Sequence, residues 1–111
     1  MAGLLSRDQL ARHDTLTGLA NRRLLGERLS DACGRLAHHH GTVGLVYIDL
    51  DDFKGINDAY GHAVGDHVLV ETARRLASVV RDGDTVARIG GDELAVVRAM
   101  LERHGMLAHA A

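Results

Sequence analysis

Two short β-type runs, Thr85-Val86-Ala87-Arg88-Ile89 and Leu94-Ala95-Val96-Val97, are separated only by Gly90-Gly91-Asp92-Glu93. An interruption that short between two apolar runs demands a β-hairpin. Glycine accepts the positive φ angles of primed turns, so Gly90 and Gly91 are expected to take them. Their bare backbone leaves room for a phosphate, and Asp92 and Glu93 at the turn exit put carboxylates where a divalent ion could be held. By itself the tetrapeptide also fits an ordinary solvated turn.

A second acidic cluster ends the most apolar segment, Val43-Gly44-Leu45-Val46-Tyr47-Ile48-Asp49-Leu50-Asp51-Asp52. Val43 to Ile48 is too short for an independent helix, and its near-continuous apolarity predicts a central strand covered on both faces. Such a strand delivers Asp49 to the edge or mouth of a sheet. If it pairs with the hairpin, Asp49 and Asp92 converge, and converging carboxylates need a cation to offset their repulsion. Hard oxygen ligands favour Mg²⁺ or Mn²⁺. Asp51 and Asp52 are read instead as opening a following helix, where carboxylates meet the positive end of the dipole.

Two amphipathic stretches supply the scaffold. Between Asn21 and Ala37, Leu25, Leu29, Ala32, Cys33 and Leu36 follow helical spacing, so Cys33 is expected to be buried. From Gly65 to Val80 the stripe is Val68, Leu69, Thr72, Leu76, Val79 and Val80, and Arg81-Asp82-Gly83-Asp84 stops it. The order helix, strand, helix, hairpin predicts an α+β sandwich with a mainly antiparallel sheet and helices on one face. His38-His39-His40 reads as a loop at a helix end.

Four blocks in order carry a family resemblance. His13-Asp14-Thr15-Leu16-Thr17-Gly18-Leu19-Ala20-Asn21-Arg22-Arg23, Asp49-Leu50-Asp51-Asp52-Phe53-Lys54-Gly55-Ile56-Asn57-Asp58, Tyr60-Gly61-His62-Ala63-Val64-Gly65-Asp66 and Arg88-Ile89-Gly90-Gly91-Asp92-Glu93-Leu94 together resemble the GGDEF domain. Leu94 replaces the usual Phe. That family comprises diguanylate cyclases, which join two GTP molecules into cyclic di-GMP.

The resemblance implies a palm-like, ferredoxin-type sandwich of the nucleotidyl cyclase kind, incomplete at the C-terminus. It covers residues 12–97, preceded by a lead-in helix over 1–11. Residues 98–111 follow as a divergent tail with Ala99, Met100, Arg103 and Leu107 at helical spacing. It further implies metal binding by Asp49, the Leu50 carbonyl and Asp92, with Asp92 and Glu93 at the reacting centre. Asn57 and Asp66 would hold guanine, Lys54 would neutralise phosphate, and Gly61 and Gly65 would let a loop approach the nucleotide. A carboxylate suits guanine because it accepts from N1–H and N2–H₂, which adenine does not present together. Read locally, Asn57 also fits a turn bond and Asp66 a helix cap. Arg81 and Asp84 match an Arg-x-x-Asp product site for cyclic di-GMP, although the same residues are ordinary helix-to-strand punctuation. Asp14, Asn21 and Arg23 are expected to brace a helix start.

Composition excludes several other classes. A chain of 111 residues with 46% hydrophobic and 25% charged residues is one globular domain. A net charge of −2 gives no polybasic footprint for nucleic acid or anionic membrane, and Tyr47, Phe53 and Tyr60 are too few aromatics for a base-stacking platform. With no long apolar run and no secretory leader, the expected location is the cytoplasm. Three readings stay open: a homodimeric diguanylate cyclase, a catalytically silent module that binds GTP or cyclic di-GMP or dimerises, and a fragment without independent activity.

Overall fold

Helix formation starts where Asn21 can cap it. Its side-chain oxygen accepts from the Leu24 N–H at 3.0 Å, while its amide donates to the Ala11 carbonyl at 2.9 Å. Such a cap stabilises a helix by about 1 kcal/mol. The computed structural model describes residues 7–37 and 40–101. In chain order the elements are α1 (Arg7–Arg12), α2 (Arg22–Leu36), β1 (Gly41–Asp49), α3 (Phe53–Tyr60), α4 (His62–Val79), β2 (Thr85–Arg88) and β3 (Glu93–Leu101). Residues 1–6 of the stretch expected as a lead-in helix lie outside the described residues, as do His38 and His39, and α1 begins at Arg7.

The strands form one antiparallel sheet in the order β1-β3-β2. Its register sets Asp49 opposite Glu93, Leu45 opposite Val97 and Arg88 opposite Leu94. Ala87, Ala95 and Val97 pack with Leu24 and Leu25 of α2 and with Ala20, and Val43, Leu29 and Ile89 border this cluster. Ala20 also bridges to Ala87, accepting from the Arg88 N–H at 2.9 Å and donating to the Val86 carbonyl at 3.1 Å, which covers the outer edge of β2. Side chains alternate along a strand, so Leu94 points away from the α2 face. It is nonetheless fully buried, as is Leu69 of α4. Each side chain of that size contributes about 1.5–3 kcal/mol by leaving water.

Several expectations need correction. The sheet is covered on both faces at Leu94, not on one. The strand β1 is an edge strand among the described residues, and β3 is central. Leu45, Val46 and Tyr47 are 40%, 56% and 62% exposed, so β1 is not covered on both faces. Helical spacing in the tail misleads at its start: residues 98–101 continue β3 and pair with β1 from Gly41 to Gly44, because strand pairing satisfies their backbone groups. Residues 102–111 lie outside the described residues. Cys33 is exposed rather than buried. In α4, Ala73 is buried and Val79 is 76% exposed, since the helix leaves the core before its last turn.

Candidate functional site

Pairing of β1 with β3 decides the first part of the site. Asp49 and Glu93 stand directly opposite each other at the sheet end, and the Leu50 N–H donates to the Asp92 carbonyl at 3.0 Å. Like charges placed opposite in an antiparallel pair are destabilising, so this is a position where folding alone favours another residue type. The carboxyl of Asp49 is held above the ordinary carboxylate range. Repulsion from Asp92 is the largest cause, followed by desolvation, a hydrogen bond with Asp92, and the charges of Glu93 and Asp51. The expected convergence of Asp49 and Asp92 is present.

The hairpin tip differs from the expected primed turn. The described glycines with positive φ are Gly18, Gly61 and Gly83, so neither Gly90 nor Gly91 uses that freedom. Ile89 N–H instead donates to the Glu93 carbonyl at 2.8 Å. A Cβ on Gly90 would clash only with the carboxylate end of the exposed Glu93 side chain, which rotation of that side chain relieves, and a Cβ on Gly91 would meet nothing within 4 Å. Arg88 holds the tip from behind. Its guanidinium donates to the carbonyls of Gly90 at 3.2 Å and Gly91 at 3.0 Å, and to Asp14 at 3.2 Å. Asp14 also accepts from the N–H and hydroxyl of Thr17, at 2.8 and 2.7 Å. Burial pushes the Asp14 carboxyl up, but the Thr17 hydrogen bonds and then Arg88 outweigh it and leave it below its usual range. Asp14 was expected to brace a helix start; it braces the signature hairpin instead.

The second part of the site is the junction of α3 and α4. Gly61, at φ +92°, turns the chain between them, so its role is conformational. Asn57 lies within α3, where no local turn bond forms, and its Oδ1 is buried without a hydrogen-bond partner. Gly65 lies within α4 and is buried, which corrects its placement in a loop. Asp66, also inside α4, is exposed and is not a cap; Gly61 occupies that position. Lys54 is exposed on α3. Asp52 precedes α3 in a left-handed conformation, φ 55°, with no capping bond from its side chain. The link Leu50-Asp51-Asp52 joins this junction to the acidic pair.

Arg81 and Asp84 form a closed turn, with the Asp84 N–H donating to the Arg81 carbonyl at 3.0 Å and the Arg81 N–H to Asp84 Oδ2 at 2.8 Å. Arg98 of β3 donates from Nε to both oxygens of Asp84, at 2.9 and 3.1 Å. The Asp84 side chain is only 4% exposed. Its carboxyl lies below its usual range, with the Arg98 hydrogen bonds as the main cause. The residues of the expected product site are adjacent, but this carboxylate is engaged within the chain. Arg98 and Arg88 were missed in the sequence, because nothing local identifies a partner many residues away.

Among the described residues no three His, Cys, Asp or Glu side chains cluster as a metal cage. The donor set nevertheless fits Mg²⁺, which keeps waters and takes one or two protein carboxylates together with substrate phosphates. A cleft beside the hairpin is lined by Asp14, Asn21, Arg22, Arg23, Arg88 and Gly90. A larger groove runs between α2 and the β2–β3 strands, lined in part by Arg28, Asp31, Thr85 and Val97. Neither includes Asp49 or Asp92. No described helix is long and apolar enough to cross a membrane.

Comparison with known proteins accounts for this combination. The family model described as "Diguanylate cyclase, GGDEF domain" matches residues 11–111. The chain is 47% identical over 89 residues to the bifunctional diguanylate cyclase/cyclic di-GMP phosphodiesterase MucR of Pseudomonas aeruginosa, covering 80% of this chain and 13% of that protein. It is 44% identical over 87 residues to the diguanylate cyclase DgcS of Shewanella oneidensis, covering 78% of this chain and 29% of that protein. Among solved structures, a sensory box/GGDEF family protein from Caulobacter crescentus superposes with a TM-score of 0.77 at 44% identity, covering 89% of this chain and 64% of that one. The GGDEF domain of DgcB from the same organism, solved in complex with c-di-GMP, gives 0.79 at 34% identity, covering 99% and 61%. The chain therefore spans less than two thirds of these relatives. With the α+β fold, the four motifs and the family model in agreement, the chain belongs to the GGDEF family of diguanylate cyclase domains.

Proposed function

We propose that this chain carries the metal- and guanine-binding part of a diguanylate cyclase site and binds GTP together with Mg²⁺ or Mn²⁺. The observation that supports this most directly is the convergence of Asp49 and Asp92 at adjoining strand ends, where the Asp92 charge pushes the Asp49 carboxyl up. Asp49, the Leu50 carbonyl and Asp92 would hold the ion, which supplies neutralisation of phosphate charge. Glu93 stands beside the reacting phosphate, and Lys54 can add positive charge to it. Asp66 accepts from the N1–H and N2–H₂ of guanine, with Asn57 as the second base contact.

Condensation of two GTP joins each 3′-hydroxyl oxygen to the α-phosphorus of the other molecule and expels two pyrophosphates. One site offers one GTP, so the reaction calls for two protomers face to face. A protein that consumes GTP in this way belongs in the cytoplasm. A second reading, a binding or dimerisation module without turnover, is favoured by the edge of β1 beside Asp49, which no other strand pairs among the described residues. Calorimetry tests the shared core of both readings: Asp92→Ala should abolish Mg²⁺-dependent GTP binding while circular dichroism stays unchanged. Unaltered metal-dependent affinity in that variant would remove Asp92 from the site.

A further inference from the structure

Gly65 and Asn57 occupy one another's space. A Cβ built on Gly65 would lie 1.7 Å from Oδ1 of Asn57 and 2.8 Å from its Cγ, so no residue with a side chain fits while Asn57 keeps this rotamer. The Gly65 N–H is already committed to the Gly61 carbonyl at 3.2 Å. Asn57 Oδ1 therefore lies over the Cα hydrogen of the glycine, where at most a weak C–H···O contact forms, and it is buried with no conventional partner. Burying an amide oxygen without a protein partner opposes folding, so packing alone does not account for the arrangement. The flanking turn supports it. Gly61 sets the angle between α3 and α4, and the two helices make an extensive contact across which Asn57 reaches Gly65.

We infer that Gly65 is a positioning residue for guanine recognition, which acts by giving Asn57 Oδ1 a seat inside α4 and thereby fixing its Nδ2 as the end presented to the base. The inference rests on the guanine-binding reading above. With the oxygen turned into the helix, Asn57 offers a donor, and guanine answers with its O6 and N7 acceptors. Adenine presents an amino group where guanine has O6, so the same amide end discriminates against it. Asp66, the next residue, covers the donor edge of the base. The pair thus divides guanine into an acceptor side read by Asn57 and a donor side read by Asp66, and Gly65 sets the first of these without touching the nucleotide.

A double-mutant cycle on the whole chain tests this, read by GTP and ATP binding in Mg²⁺ and by thermal unfolding. Gly65→Ala should weaken GTP by about tenfold and leave ATP within about twofold, and Asn57→Ala should do the same. In the Asn57→Ala background, Gly65→Ala should cost nothing further, because the Cβ enters vacated space. That double variant also covers the case in which Gly65→Ala alone fails to fold, since unfolding should then be relieved by removing Asn57. Multiplying losses, or a Gly65→Ala protein that keeps its full preference for GTP, overturns the positioning role alone. A wild-type chain that binds GTP and ATP equally overturns the guanine reading and this inference with it, while a non-additive melting cycle would still record the packing of Asn57 on Gly65.

Discussion

Arg88 donates to Asp14 at 3.2 Å across 74 positions of sequence, and the same guanidinium holds both glycine carbonyls of the signature hairpin. The side chains are 22% and 18% exposed, so the pair is shielded enough to matter. Removing Arg88 leaves the Asp14 carboxylate and two carbonyls with fewer donors. Arg88→Ala should lower stability by about 1–3 kcal/mol in urea unfolding and loosen the tip that carries Asp92. Arg88→Lys should recover little, because an ammonium cannot span the same acceptors. Equal stability of Arg88→Ala and wild type would show that the brace is dispensable.

Asp66 is exposed on α4 and makes no capping bond, which leaves its carboxylate available to a ligand. Asp66→Ala should weaken GTP by about tenfold or more while changing ATP little, since a site built around substrate N–H groups discriminates through them. A nucleotide competition assay that finds the preference intact would take Asp66 out of base recognition.

The Asp84–Arg98 pair carries a pH signature. The folded-state carboxyl lies below its ordinary value of 3.8, because Arg98 and the Arg81 N–H favour the charged form over an opposing burial effect. Its stabilisation is therefore fully present above the unfolded value and is lost as pH falls through the lower folded value. Wild type should melt above Asp84→Asn from about pH 5 upward, with the gap closing below about pH 3. A gap that stays constant across this range would mean that the ion pair contributes nothing through Asp84 ionisation.

Turnover by the 111-residue polypeptide should be negligible even where GTP binds. Positioning two reactants supplies about 7–11 kcal/mol of barrier lowering, and it depends on rigid support. Here Asp49 ends a strand that is at the sheet edge among the described residues and in which Val46 and Tyr47 face water, and an unprotected edge favours irregular self-association over one defined dimer. Chromatography of a GTP and Mg²⁺ incubation should show at most traces of cyclic di-GMP, and robust product would refute the expectation.

Elements dictated by local periodicity were legible from the residues alone. The α2 helix starts at its Asn21 cap, the hairpin turns between Arg88 and Glu93, and Asp49 falls at a strand end, because caps, turns and alternation depend on neighbours within a few positions. The four ordered motifs carried the family for the same reason: each is a short run. Tertiary structure decided everything that depends on which runs meet. It made β3 rather than β1 the central strand, turned the start of the tail from helix to strand, and exposed Cys33 on the far side of its helix. It also gave Arg88 to Asp14, Arg98 to Asp84 and Asn57 to Gly65. Periodicity states that a residue has an inward or outward face, but the partner on that face is chosen by strand order and helix docking, and neither is written in any local window of sequence.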